Sequence, residues 1–215
     1  MQIQLDYPEP TPVTLEGEKT LLVIVDMANE VAHPAGEMYY EGAARIIPTI
    51  AELRRRVREA GGRIVHTQSV RSPDALEFTV FHHVKRHLGA WEIDFVDGLR
   101  PESDEPVVVK ETHCSFHRTD MDALLERLGM HPGDSRVICT GTSARGCVQC
   151  AVVGFSLRDY YVYVPMDCVA NRLEKDLLQA FSLFTGWSYS YNVTVTRSDL
   201  ISLVPSPVRA ARGGA

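Results

Sequence analysis

Short apolar runs alternate with segments of helical period along this chain, and that alternation leaves few architectures open. Residues 21–25 (LLVIV) end at Asp26, 64–68 at Gln68 and 107–110 (VVVK) at Lys110. Residues 137–140, 162–164 and 192–196 add three more runs of strand character. Between them lie segments with one apolar face. Ile46, Ile47, Ile50, Leu53 and Val57 share one side of 43–60, which stops at Gly61 and Gly62. Asp120 stands where it would cap a helix bearing Met121, Leu124, Leu125 and Leu128. Another helix opens at Cys147, and 173–187 reads as the last. Short strands separated by helices must be joined by crossovers, so the sheet is parallel and covered on both faces. The expected fold class is α/β: a three-layer α/β/α sandwich around a mainly parallel sheet of about six strands.

The 215 residues, 45% of them hydrophobic, suffice for one well-packed domain over 1–215. Residues 1–17 read as an extended arm and 204–215 as a disordered tail. Residues 69–104, with the aromatic and His-rich stretch FTVFHHVKRHLGAWEIDF, read as a covering segment. A net charge of −6 without a dense Lys/Arg block argues against nucleic acid and anionic membrane as partners. No apolar run is long enough to span a bilayer, and MQIQLDYPEPTP lacks the parts of a signal peptide. The five cysteines, 114, 139, 147, 150 and 168, are odd in number and sit mostly in apolar segments. That suits a reducing cytoplasm better than a disulfide framework.

Polar residues close the strands: Asp26, Gln68, Lys110, the turn 141–147 and Asp167. In a parallel sheet the carboxyl ends gather on one edge, and ligands bind where the strand order reverses. If 21–25 and 137–140 flank that reversal, Asp26 and Cys147 become neighbours. Whether Lys110 reaches them is open on spacing alone. A cysteine at a helix N-terminus meets the macrodipole and free N–H groups, which favour thiolate, so Cys147 is the candidate nucleophile. Two blander readings compete. Cys147 could be a buried, inert thiol, and Cys147-Val148-Gln149-Cys150 is a C-x-x-C that suggests thiol–disulfide exchange. His82, His83 and His87, and His113 with His117, include i,i+4 pairs, yet no H-E-x-x-H accompanies them. No metal site is expected.

Four pieces in order resemble the isochorismatase-like cysteine hydrolases, over roughly residues 18–200: LLVIVDMANEV, DGLRPESDEPVVVKETHCSFHRTDMDALLERLG, VICTGTSARGCV and VYVPMDCVA. The resemblance implies the isochorismatase-like hydrolase fold, which is Rossmann-like, and assigns roles by position. Cys147 is implied as nucleophile, Asp26 as proton shuttle and Lys110 as a cation favouring thiolate. A cis Thr142–Ser143 peptide is implied too, with the Ser143 and Cys147 backbone N–H groups as an oxyanion hole. Ala28, Glu30 and Val31 depart from the family's opening run, and Val31 replaces an aromatic residue. The metal ligands of the family's nicotinamidases are missing from HTQSVRSPDALEF, and no cofactor is implied. Gly146 before the nucleophile is similar to the N-carbamoylsarcosine amidase and ureide-amidase branch, whereas Arg145 replaces a small residue.

Candidate substrate contacts are Val31, Arg71, Trp91, Phe116, Thr142 and Arg145. The expected function is hydrolysis of a C–N bond in a small, non-peptide amide, ureide or carbamoyl compound. It would run through a thioester-like intermediate and release ammonia or an amine. Vinyl-ether hydrolysis of the isochorismatase type is the nearest rival, although members doing that chemistry rely on the aspartate and lack the cysteine. A non-catalytic binding protein on the same scaffold is the other. The resemblance also implies a homo-oligomer, dimer or tetramer, with a small molecule as substrate.

Overall fold

Every residue of β2 (Thr20–Val25) is buried, as a strand must be when helices cover both faces of its sheet. The computed structural model describes residues 6–70, 90–186 and 188–205. The other strands of the main sheet are β3 (Arg63–Ser69), β4 (Val107–Lys110), β5 (Arg136–Thr142), β6 (Tyr161–Pro165), β7 (Val169–Ala170) and β8 (Val193–Thr196). Their order is β4-β3-β2-β5-β6-β8, with the short β7 also on β5, and every pairing is parallel. From β2 the chain builds outward through β3 and β4, then returns to β5 and builds the other way. The reversal therefore lies between β2 and β5, where Val25 pairs with Gly141. Gly141 has φ +104, and a Cβ there would sit 2.1 Å from the Val25 carbonyl oxygen, so only glycine fits.

Alternate residues of β2 serve opposite layers. Leu22 and Ile24 pack with Ile50, Leu53 and Val57 of α3 (Ile47–Glu59), along with Ala32 of α1 (Asn29–Ala32) and Ala43 of α2 (Glu41–Arg45). Leu21, Val23 and Val25 join the opposite layer. Its helices are α4 (Met121–Arg127), α5 (Gln149–Ser156) and α6 (Glu174–Phe184), contributing Leu124, Val152 and Phe181 among others. Each buried Val, Leu, Ile or Phe side chain among them stabilises the fold by about 1.5–3 kcal/mol. This is the expected three-layer α/β/α sandwich. No helix among the described residues is long and apolar enough to cross a membrane.

Local details differ from the sequence reading. The single helix expected over 43–60 is two, α2 and α3, meeting at Ile46; Pro48 falls in the first turn of α3, where its missing N–H costs nothing. Asp120 holds the N-cap position of α4 without capping it. Its carboxylate accepts from Arg127 (3.2 Å), and Thr119 Oγ1 accepts the Met121 N–H (3.4 Å). Within the expected extended arm, β1 (Val13–Glu16) pairs in parallel with β9 (Ile201–Val204) as a separate two-stranded sheet. Arg56 of α3 secures that sheet by donating to the carbonyls of Ser198 (2.9 Å) and Ile201.

A buried polar cluster joins α3, β3 and the turn before β4. The Glu105 carboxylate accepts from Arg54 (2.9 and 2.5 Å), Arg58 (2.8 Å) and His66 Nε2 (2.9 Å). Burial pushes the Glu105 carboxyl up, but Arg54, the Glu102 N–H and His66 outweigh it and bring its pKa down to about 2. Burial lowers the His66 imidazole, so the ring is neutral at pH 7. A folded-state pKa below the ordinary 4.5 means stability that is present above pH 4.5 and lost as pH falls toward 2. Glu105→Gln leaves the buried Arg54 cation only the exposed Glu102 carboxylate (3.2 Å) and should cost about 3 kcal/mol at pH 7. Urea unfolding should show that deficit shrinking between pH 4.5 and 2, as the parent loses its own carboxylate.

Candidate active site

The chain leaves β2 at Asp26 with φ +49, a left-handed conformation that aspartate tolerates because its side chain bonds locally. Thr67 of β3 locks it: the Asp26 N–H donates to Thr67 Oγ1 (3.2 Å), and that hydroxyl donates to Asp26 Oδ1 (2.6 Å). From the other side Thr142 Oγ1 donates to the Asp26 carbonyl (3.0 Å). Lys110 ends β4, in register with Ser69 and two strands from β2. Its stem crosses that distance. Lys110 Nζ donates to Asp26 Oδ2 at 2.6 Å, to the Thr112 carbonyl at 3.3 Å and to Cys147 Sγ at 3.3 Å.

After β5 the Thr142–Ser143 peptide is cis, and Ala144–Val148 forms a wide π-type turn ahead of α5. Cys147 thus lies inside a turn two residues before the regular helix, not at its first position. The Ser143 carbonyl accepts from the N–H groups of Gly146 (2.9 Å) and Val148 (3.2 Å). Gly146 has φ −125 and ψ −108, and a Cβ there would come within 2.7 Å of Ser143 Oγ. The backbone folds tightly enough to turn the sulfur toward Lys110 and Asp26.

Charge in this trio is settled by burial and by Lys110. Burial raises the Asp26 carboxyl, but the Lys110 charge and hydrogen bonds from Cys147, Lys110 and Thr67 hold it below the usual carboxylate range. Burial lowers the Lys110 ammonium, and Asp26 and Cys147 more than restore it. Burial and the Asp26 charge push the Cys147 thiol up against the pull of Lys110. The resting site therefore holds a carboxylate, an ammonium and a neutral thiol. A thiol depressed by helix dipole and lysine, the sequence expectation, is not what forms, because the sulfur is buried beside an anion.

Above the trio lies a cavity of about 210 Å³. Asp26, Thr142, Ser143 and Cys147 line it, with Glu30 and Val31 of α1, Met38 and Tyr40. Ser69, His113, Asn171 and Arg172 also line it. Of the expected substrate contacts, Val31 and Thr142 are here. Trp91, Phe116 and Arg145 are not. Trp91 is half exposed, edge-on to His33 at 5.1 Å. Phe116 is core, against Phe155 (4.8 Å) and beneath the Arg158 guanidinium (3.8 Å). Arg145 is exposed and pairs with Asp176 (2.8 Å), and its N–H donates to Asn171 Oδ1 (3.3 Å). Arg71, His82, His83 and His87 lie outside the described residues.

Tyr40, His113, Asn171 and Arg172 are among the cavity residues absent from the sequence reading of the site. Asn171 and Arg172 directly follow β7, which pairs with β5 at Gly141 and Thr142 and so delivers them to the nucleophile turn. Strand-end logic extended past VYVPMDCVA would have found them. Tyr40 precedes α2; the Arg172 guanidinium stacks on its ring at 5.6 Å and donates to the Met38 carbonyl (2.6 Å). His113 stands in the sequence only as half of an i,i+4 histidine pair, yet its Nδ1 lies 3.2 Å from Cys147 Sγ. Among the described residues no three His, Cys, Asp or Glu side chains converge as a metal-binding set.

The family model for the isochorismatase domain matches residues 20–196. A ureidoacrylate amidohydrolase, RutB of Methylorubrum extorquens, is 25% identical over 207 residues, spanning 83% of this chain and 82% of that protein. The solved N-carbamoylsarcosine amidase of Thermoplasma acidophilum aligns with a TM-score of 0.70 and 27% identity, over 84% of this chain and 97% of its own. An isochorismatase-like hydrolase of Alkaliphilus metalliredigens aligns with a TM-score of 0.74 and 25% identity, over 84% and 96%. The domain match runs from the first residue of β2 to the last of β8, enclosing every strand and turn that builds the site, and this chain belongs to the isochorismatase-like hydrolase family.

Proposed function

We propose that the chain is a cysteine-dependent amidohydrolase that cleaves a C–N bond of a small amide, ureide or carbamoyl compound. One observation carries the reading: Lys110 Nζ touches both the Asp26 carboxylate (2.6 Å) and the Cys147 sulfur (3.3 Å) beside a small cavity. In such a trio the thiol proton passes to Asp26 without changing the net charge of the site. The lysine cation, already between the two, then pairs with sulfur where it had paired with oxygen. Moving a proton inside a buried ion pair avoids the cost of creating a lone buried charge.

The thiolate attacks the substrate carbonyl, and the developing oxyanion is held by the Ser143 and Cys147 backbone N–H groups, worth about 10²–10³ in rate per donor. Asp26 gives its proton to the departing nitrogen, a general-acid step worth about 10²–10⁴. Water assisted by Asp26 then cleaves the thioester-like intermediate. The cavity volume of about 210 Å³ lies below the roughly 300–1,000 Å³ typical of drug-sized ligands, so the substrate is small. Arg172 gives that cavity a cation for an acidic substrate. The names of the two similar amidases, acting on a ureidoacrylate and an N-carbamoyl amino acid, support a ureide or carbamoyl class.

A panel of small amides and ureides assayed for released ammonia tests the proposal. Cys147→Ala and Cys147→Ser should lose turnover while keeping the parent circular dichroism; undiminished turnover would reject the nucleophile. Lys110→Met leaves Asp26 buried without its cation. Its kcat should fall at least as far as loss of the acid–base step, about 10²-fold, with a lower Tm. Arg172→Leu should raise KM for anionic members of the panel and leave neutral ones little changed, which steady-state kinetics reads directly.

A further inference from the structure

Among the described residues Cys147 Sγ has two nitrogen neighbours, and the family resemblance assigns a role to one of them. Lys110 Nζ approaches at 3.3 Å from within the fold, where it is buried; His113 Nδ1 approaches at 3.2 Å from an exposed loop residue that lines the cavity. The loop after β4 carries His113 three residues beyond Lys110, so one segment brings both nitrogens to the sulfur. Gly146 leaves the space open: a Cβ there would lie 2.7 Å from Ser143 Oγ and 3.9 Å from His113 Nδ1.

Asp26 is a constrained base. Lys110 engages one of its oxygens at 2.6 Å and Thr67 the other at 2.6 Å. Burial raises its carboxyl, yet Lys110 and these hydrogen bonds keep it below the usual range, while burial drives the thiol the other way. An acceptor that titrates near neutrality is better matched to such a thiol, and imidazole is the side chain of that kind.

We propose that His113 is a second proton acceptor for Cys147, beside Asp26, and a catalytic residue of the amidohydrolase reaction. The proposal rests on Cys147 being the nucleophile. With the ring proton on Nε2, the S–H bond breaks, its electron pair stays on sulfur, and the Nδ1 lone pair takes the proton. The thiolate then lies between the Lys110 ammonium and the His113 imidazolium. Once sulfur has added to the carbonyl, the C–N bond breaks with its electron pair going to nitrogen, and the Nδ1 proton follows it. By this route Asp26 stays a carboxylate through acylation and is free to assist water afterwards.

The test needs no substrate. Among the described residues the charged or titratable groups around the cavity besides His113 are Asp26, Glu30, Tyr40, Lys110, Cys147 and Arg172. The rate of Cys147 alkylation by iodoacetamide, read by mass at that residue, is followed against pH in the parent, His113→Ala and His113→Asn. Asparagine can hold an amide nitrogen near the Nδ1 position but cannot titrate. The parent should show a reactivity step in the neutral range that both variants lose, with reactivity at pH 7 falling roughly tenfold, the equivalent of one pKa unit. A parent-like curve in His113→Asn would overturn the proposal, as would one in His113→Ala. Should the variants fail to fold, imidazole NMR of the parent and of Cys147→Ala decides: removing the thiol should move the His113 titration by roughly one pH unit, and an unmoved titration would overturn it. Full ammonia release by Cys147→Ser would instead end the nucleophile reading, an outcome separate from the alkylation curves.

Discussion

One buried ammonium organises this protein's site. Lys110 is 1% exposed, and removing such an ion from water costs several kcal/mol unless close partners compensate. Asp26 Oδ2, the Thr112 carbonyl and Cys147 Sγ are those partners, and they come from the ends of β2 and β5 and from the lysine's own loop. The same contacts that make the lysine tolerable bring three distant stretches of chain to one point. Stability and the proposed chemistry thus share an origin.

The electrostatics of the trio favour a poised site over a preformed thiolate. A cation beside one carboxylate and one thiol satisfies the stronger acid first, so the carboxylate is charged and the thiol is not. Proton transfer in the proposed reaction exchanges which anion the lysine serves. A base on the cavity side, as proposed for His113, adds a second cation at the sulfur without disturbing the Lys110–Asp26 pair. The buried Glu105 cluster behaves differently, since its charges are matched permanently by Arg54 and Arg58 and lie outside the cavity.

Strand positions were legible because each strand of the main sheet needs an apolar run and a polar stop, and both are local properties. Six of the seven described strands of the main sheet fall at or within two residues of where the periodicity puts them, and the two-residue β7 is too short to show a run. What escaped was decided at longer range. The pairing of β1 with β9 joins the two ends of the described chain, and neither strand has an apolar run that marks it. Asp120 looks like a cap in isolation, but Arg127 competes for its carboxylate. Trp91, Phe116 and Arg145 have the right chemistry for substrate contacts and the wrong neighbours: His33, Phe155 and Asp176 hold them away from the cavity.

By itself the sequence determined the layered α/β class, the family, and the residue types that an amide-cleaving site would need, because these follow from periodicity and short motifs. Only the tertiary structure decided that Lys110 spans two strand positions to reach Asp26, that Cys147 rests as a neutral thiol, and that His113, Tyr40, Asn171 and Arg172 share its cavity. The reason is physical. Motifs name side chains, but a proton's position and a cavity's lining depend on burial and on partners that strand order brings from elsewhere in the chain.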